Sequence, residues 1–88
     1  MLSEGIAHCR VCGYRPGWLP WGETGTDPSW EFCPCCWVEF GYQDSSVAGA
    51  RAYRQAWLAS GATWSDTSVS HDGLTTAERL MFVPPGYE

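Results

Sequence analysis

The 88-residue sequence contains no lysine, and its basic side chains are Arg10, Arg15, Arg51, Arg54 and Arg79, against ten carboxylates and a formal net charge of −5. Phosphate contacts need a clustered basic footprint, so scattered arginines on an acidic chain argue against nucleic-acid binding. Also missing is any unbroken apolar run of about eighteen residues, which leaves no candidate membrane-spanning helix. Residues 1–6 lack both a basic n-region and an apolar h-region, and the chain therefore reads as a soluble, cytoplasmic protein. Catalytic signatures are missing too: there is no H-E-x-x-H, no Ser-His-Asp pattern and no glycine-rich phosphate loop.

What is present is cysteine and tryptophan: five of the first and six of the second. A chain of this length suits one domain spanning 1–88, with a core thin enough to need a staple. Cys9-Arg-Val-Cys12 and Cys33-Pro-Cys-Cys36 are C-x-x-C pairs at the spacing of a zinc site built from two knuckles. Such a turn brings two sulfurs onto one ion, and four soft ligands complete a tetrahedron around Zn²⁺. Gly13 fits the end of the first knuckle, where a left-handed residue is easiest without a Cβ. Cys9, Cys12, Cys33 and Cys36 are thus the expected metal ligands. Cys35 is left over as a buried or tolerated thiol, and His8 and His71 read as surface residues.

Two alternatives use the same sulfurs. Iron would accept the four-cysteine set in a rubredoxin-like site. A thiol redox pair would instead sit between a strand and a helix in a βαβ unit, and no such unit is visible. An enzymatic zinc needs an open coordination position, which four thiolates close. Metallation through four thiolates would also carry the net charge to about −7.

The chain divides by composition. Residues 1–8 form a short lead and residues 9–44 a block rich in cysteine, glycine and tryptophan. Residues 45–88 carry the helical signals. In the block, Trp30 and Phe32 on one side of Cys33-Pro-Cys-Cys36, and Val38, Phe40 and Tyr42 on the other, alternate as short antiparallel strands would. Pro16, Gly17, Pro20 and Gly22 break up residues 13–28 into a structured loop or ragged hairpin. From Val47 an alanine-rich segment predicts a helix, with Asp44, Ser45 or Ser46 as its N-cap and Gly61 past its end. Ala50, Tyr53 and Trp57 form its apolar stripe, while Arg51 and Gln55 face solvent. Residues 63–73 read as a loop. Thr75 and Glu78 then match a capping box before a short second helix that Pro84 and Pro85 stop. The last residues, Gly86-Tyr87-Glu88, read as a free tail or a small docking motif. The expected fold is a small α+β domain, with a zinc-ribbon-like block followed by one main helix and a short C-terminal one.

The motifs Cys9-Arg-Val-Cys12-Gly13-Tyr14, Pro20-Trp21-Gly22-Glu23, Glu31-Phe32-Cys33-Pro34-Cys35-Cys36, Val38-Glu39-Phe40-Gly41-Tyr42-Gln43-Asp44 and the segment from Tyr53 to Trp64 together resemble the CPCC-type cysteine-rich small bacterial proteins. The resemblance implies a zinc-ribbon-like block followed by a helix. Through related small proteins found beside toxin systems, it also suggests an immunity role. It brings no catalytic residues. Trp37 departs from the pattern, which places glycine after the CPCC; a bulky residue at positive φ is strained, so the expectation is that this knuckle closes differently or that Trp37 is held outward for contact.

Six tryptophans exceed what so small a core buries, and exposed aromatics are typical of binding hot spots. Trp18, Trp21 and Trp37 are the expected contact residues, beside an acidic stretch containing Glu23, Asp27, Glu39 and Asp44. The expectation is a zinc-stabilised, non-enzymatic protein-binding module, with a zinc-ribbon nucleic-acid-binding accessory protein and a thiol redox protein using C-x-x-C as the alternatives. Its partner would be basic, such as a toxin domain, with no membrane involved.

Overall fold

The computed structural model describes residues 4–69 and 71–88; of the N-terminal lead expected over 1–8, Met1, Leu2 and Ser3 lie outside the described residues. Residues Glu4–Ala7 form one turn of 3-10 helix, and two α-helices follow, α1 over Val47–Ala59 and α2 over Thr76–Leu80.

The expected antiparallel strands are not formed. Among the described residues the only pairing of this kind is an isolated antiparallel bridge between Phe32 and Glu39, so the molecule is not an α+β fold with a sheet. The reason is steric. On one side of the bridge the chain turns at once into the 33–37 knuckle, where the Trp37 amide donates to the Cys33 carbonyl at 2.8 Å. On the other, Trp30 (φ 60°) and Gly41 (φ 109°) leave the extended region at facing positions. A ladder confined between two such breaks has room for a few hydrogen bonds: Cys33 N–H to Val38 O, Phe40 N–H to Glu31 O and Trp30 N–H to Phe40 O.

α1 begins where Ser46 accepts the Gly49 amide on its hydroxyl, so Ser46 satisfies one of the orphan donors of the first turn. It ends in a Schellman arrangement, with Gly61 N–H on Leu58 O at 3.1 Å and Ala62 N–H on Trp57 O at 2.9 Å. Gly61 takes φ 106°, the conformation that arrangement requires. α1 buries Ala50 and Trp57 together with Arg54, a residue whose charge hides its inward position from a composition reading. In α2 the capping box is complete, with Glu78 N–H on the Thr75 hydroxyl at 3.1 Å and Thr75 N–H on the Glu78 carboxylate at 2.9 Å.

The core lies between α1 and the cysteine block, built from Val11, Tyr14, Val38, Phe40, Ala50 and Trp57 around the five buried cysteines. Three arginines join its parts. Arg54 reaches out of α1 to donate to Val11 O at 2.7 Å, Arg10 O at 2.9 Å and Tyr87 O at 2.5 Å, which ties the helix to the first knuckle and to the last residues. Arg79 of α2 holds Asp72 through two bonds of 2.8 and 3.0 Å while its guanidinium lies 4.8 Å from the Trp64 ring centroid. Arg10 is clasped between the Trp21 ring at 3.8 Å and the Tyr87 ring at 4.5 Å. The end of the chain is therefore docked: Tyr87 packs against the core.

Candidate metal centre

Each C-x-x-C pair closes a turn with the same backbone bonds. In the first, Gly13 N–H donates to Cys9 O at 3.0 Å and Cys9 N–H to Tyr14 O at 2.8 Å; in the second, Trp37 N–H donates to Cys33 O at 2.8 Å and Cys33 N–H to Val38 O at 2.9 Å. Gly13 (φ 85°) and Trp37 (φ 66°) hold equivalent left-handed positions, so the second knuckle closes normally although a tryptophan stands where glycine is easiest. In the first, the Val11 amide also points at the Cys9 sulfur at 3.4 Å, a contact that stabilises a thiolate.

The two knuckles face each other. The sulfurs of Cys9, Cys12, Cys33 and Cys36 all lie within 4.8 Å of one another, and all four residues are buried. Across the knuckles Cys9 Sγ is 3.7 Å from Cys36 Sγ, and Cys12 Sγ is 3.7 Å from Cys33 Sγ. A tetrahedron of sulfurs about 2.3 Å from a central zinc has edges of about 3.8 Å. A disulfide, at about 2.05 Å, would be far shorter, and all five cysteines are free. The set can hold a metal ion.

The four thiols do not ionise alike. Burial pushes the thiols of Cys9, Cys12 and Cys36 up. Cys33 goes the other way: burial opposes its ionisation, but hydrogen bonds from Cys12, Cys36 and Cys9 outweigh it and hold it well below the usual thiol range. Sulfurs packed this closely ionise together only when a cation shares their charge. The phenol of Tyr53, which donates to Cys36 O at 3.0 Å, is pushed up to about 12 by burial and by the neighbouring cysteines.

Comparison with protein-family models, with curated proteins and with solved structures returned no match. The chemistry of the centre therefore rests on its own residues.

Around the centre, residues that follow α1 support the second knuckle, with Ser65 N–H on Cys35 O at 3.0 Å and Asp66 N–H on Pro34 O at 2.9 Å. Cys35 is fully buried and lies outside the four-sulfur group. His8 is half-buried, with its Nδ1 2.9 Å from Gly13 O and its ring stacked on Phe82. His71 is exposed and stacks on Trp64, with ring centroids 4.4 Å apart.

The expected contact surface divides. Asp44 is not on it: its side chain is fully buried and accepts the Trp21 indole N–H at 2.8 Å and the Gly41 amide at 2.8 Å. Burial pushes its carboxyl up, and the bonds from Trp21 and Gly41 counter this. Trp21 is consequently an internal, half-buried residue that shields this carboxylate and stacks on Arg10. Glu23 and Asp27 are exposed in the turn beyond it. Trp18 is partly exposed and packs on Phe40, with ring centroids 5.7 Å apart and planes nearly perpendicular.

Trp37 remains outward, stacked on Phe32 with ring centroids 4.8 Å apart, and Glu39 is half-buried opposite Phe32 in the isolated bridge. Reading the sequence missed Phe32 and Trp30 as surface residues by assigning both to strands, and missed Arg54 and Arg79 inside. For Arg54 a signal existed, since position 54 falls on the Ala50–Trp57 face of α1. Among the described residues, no helix is long and apolar enough to cross a membrane.

Proposed function

We propose that the chain is a zinc-stapled, non-catalytic protein-binding module. The observation that carries this reading is the buried group of four clustered cysteine sulfurs. Zn²⁺ bound to four thiolates has no position left for water or substrate, so the ion holds the fold and does not act as a Lewis acid. The large aromatic side chains left in solvent, Trp18, Trp30, Phe32 and Trp37 among them, support a binding role, because such rings dominate the energy of protein interfaces. The acidic net charge favours a basic partner. Neutralisation of a basic toxin domain, as an immunity protein would achieve it, is the finer form of this proposal and rests on the resemblance to CPCC-type proteins.

Native mass spectrometry of the tagged chain, purified from the cells that produce it, tests the proposal. One zinc per chain together with a stoichiometric basic protein is the expected result. A folded, metal-free chain would overturn the zinc half, and a metallated chain that arrives without a partner would overturn the binding half.

A further inference from the structure

Two of the three arginine anchors of this fold use one recognition unit. Arg79 lies over the Trp64 indole and donates to the Asp72 carboxylate; Arg10 lies over the Trp21 indole and donates to the Asp44 carbonyl at 3.2 Å. In each, the flat guanidinium uses its face for an aromatic ring and its edge for an oxygen acceptor, a combination that an ammonium does not reproduce.

The outer face of the second knuckle has the same parts without the cation. Phe32 and Glu39 are opposed in the antiparallel bridge, and the Trp37 ring stacks on Phe32. In the same register Trp30 stands opposite Gly41, with its ring so close that a Cβ on Gly41 would come within 2.9 Å of it. Trp30, Phe32 and Trp37 are 58, 40 and 48% exposed. Glu39 stands opposite Phe32, Glu31 lies between Trp30 and Phe32 in sequence, and among the described residues no arginine lies over these rings. Trp37 is held here at a backbone conformation that disfavours any side chain, and strain of this kind persists where the presented group is used.

We propose that the face formed by Trp30, Phe32, Trp37 and Glu39 captures arginine side chains of a basic protein partner, with the guanidinium stacked on the Trp37–Phe32 pair and its edge on Glu39. This rests on the binding-module reading above and specifies its surface and chemistry. The acidic carboxylates select a cationic partner, and the flat rings select arginine over lysine.

The test uses the zinc-loaded full chain with hexa-arginine, hexa-lysine and hexa-glutamate peptides, followed by calorimetry and by the indole N–H resonances. Hexa-arginine is expected to bind at least tenfold more tightly than hexa-lysine and to shift the Trp37 indole signal, while hexa-glutamate does not bind. Trp37→Gly removes the ring at a position whose backbone suits glycine, so the variant should fold, keep its zinc and lose at least tenfold in affinity. Glu39→Gln should weaken binding severalfold, whereas Met81→Ala, at an exposed apolar residue beyond α2, should leave it unchanged. Equal affinity for the arginine and lysine peptides, or full affinity in Trp37→Gly, overturns the proposal. If the natural partner still co-purifies with Trp37→Gly, this face is refuted and the module reading survives. If hexa-arginine binds as described but no protein partner co-purifies with the unmodified chain, the module reading fails and the arginine-binding face stands.

Discussion

Replacing Gly13 by alanine tests how the second helix meets the metal centre. Gly13 has φ +85°, and a Cβ built on it would lie 2.0 Å from the Arg79 carbonyl oxygen, 2.9 Å from its carbon and 3.2 Å from the Val83 nitrogen. All three are backbone atoms, so no side chain can swing aside, and α2 itself must move. The left-handed backbone alone costs alanine about 1 kcal/mol after allowing for the stiffer unfolded chain. Displacing packed backbone adds about 2 kcal/mol, for a total of about 3. Gly17 supplies the control: it has φ +93° with nothing within 4 Å of its Cβ position, so Gly17→Ala should cost only the first part, about 1 kcal/mol. Urea unfolding at one fixed, saturating free-zinc concentration measures both, since metal bound to the folded state otherwise shifts the apparent stability. Equal losses in the two variants would refute the docking of α2 on the first knuckle. A loss of zinc stoichiometry in Gly13→Ala would show instead that the damage falls on the ligands.

Three further outcomes are expected. Chelation, Cys9→Ser or Cys33→Ser should abolish the helical circular dichroism of α1, because structural zinc contributes on the order of 10 kcal/mol to folding in small sites; Cys35→Ser should retain both zinc and helix, and a folded Cys33→Ser protein would contradict the assignment. Arg54→Lys should cost about 3 kcal/mol in the same urea assay, because one ammonium cannot serve three carbonyls that a guanidinium spans; a loss under about 1 kcal/mol would show that those bonds do not anchor α1. Asp72→Asn should cost about 1 kcal/mol. Its side-chain hydrogen bonds with Arg79 hold the Asp72 carboxyl below the usual carboxylate range. The stabilisation is therefore complete above the unfolded pKa of about 3.9 and lost as pH falls through the lower folded value. The gap between the two proteins should stay constant from pH 7 to pH 5 and close as pH falls below about 4, and a gap that stays constant through that acid range would show that the pKa is not depressed.

The parts of this molecule legible in its sequence are those set by local rules. C-x-x-C spacing assembles the four sulfurs because each knuckle is a single turn, and Ser46, Gly61 and the Thr75–Glu78 pair mark helix ends because caps act over three or four residues. What was not legible depends on distant partners. Asp44 read as surface charge because nothing near it in sequence shows that the Trp21 indole will cover it. Arg54 read as neither core nor anchor because its acceptors, the carbonyls of residues 10, 11 and 87, come from both ends of the described chain. The strands failed for a different reason. Alternating aromatics around a turn satisfy the pattern for a hairpin, but the left-handed backbone at Trp30 cannot be read from a residue that so rarely adopts it.

The grip of Arg54 joins the first knuckle to residues far from it in sequence. Its acceptors at residues 10 and 11 belong to the first knuckle, and its third acceptor is the carbonyl of Tyr87. Should the knuckle relax, the hold on Tyr87 would slacken with it. Residues 86–88 would loosen together with it, although they lie far in sequence from any cysteine. The state of the four-sulfur group would thus be legible at Tyr87, without any probe of the sulfurs themselves.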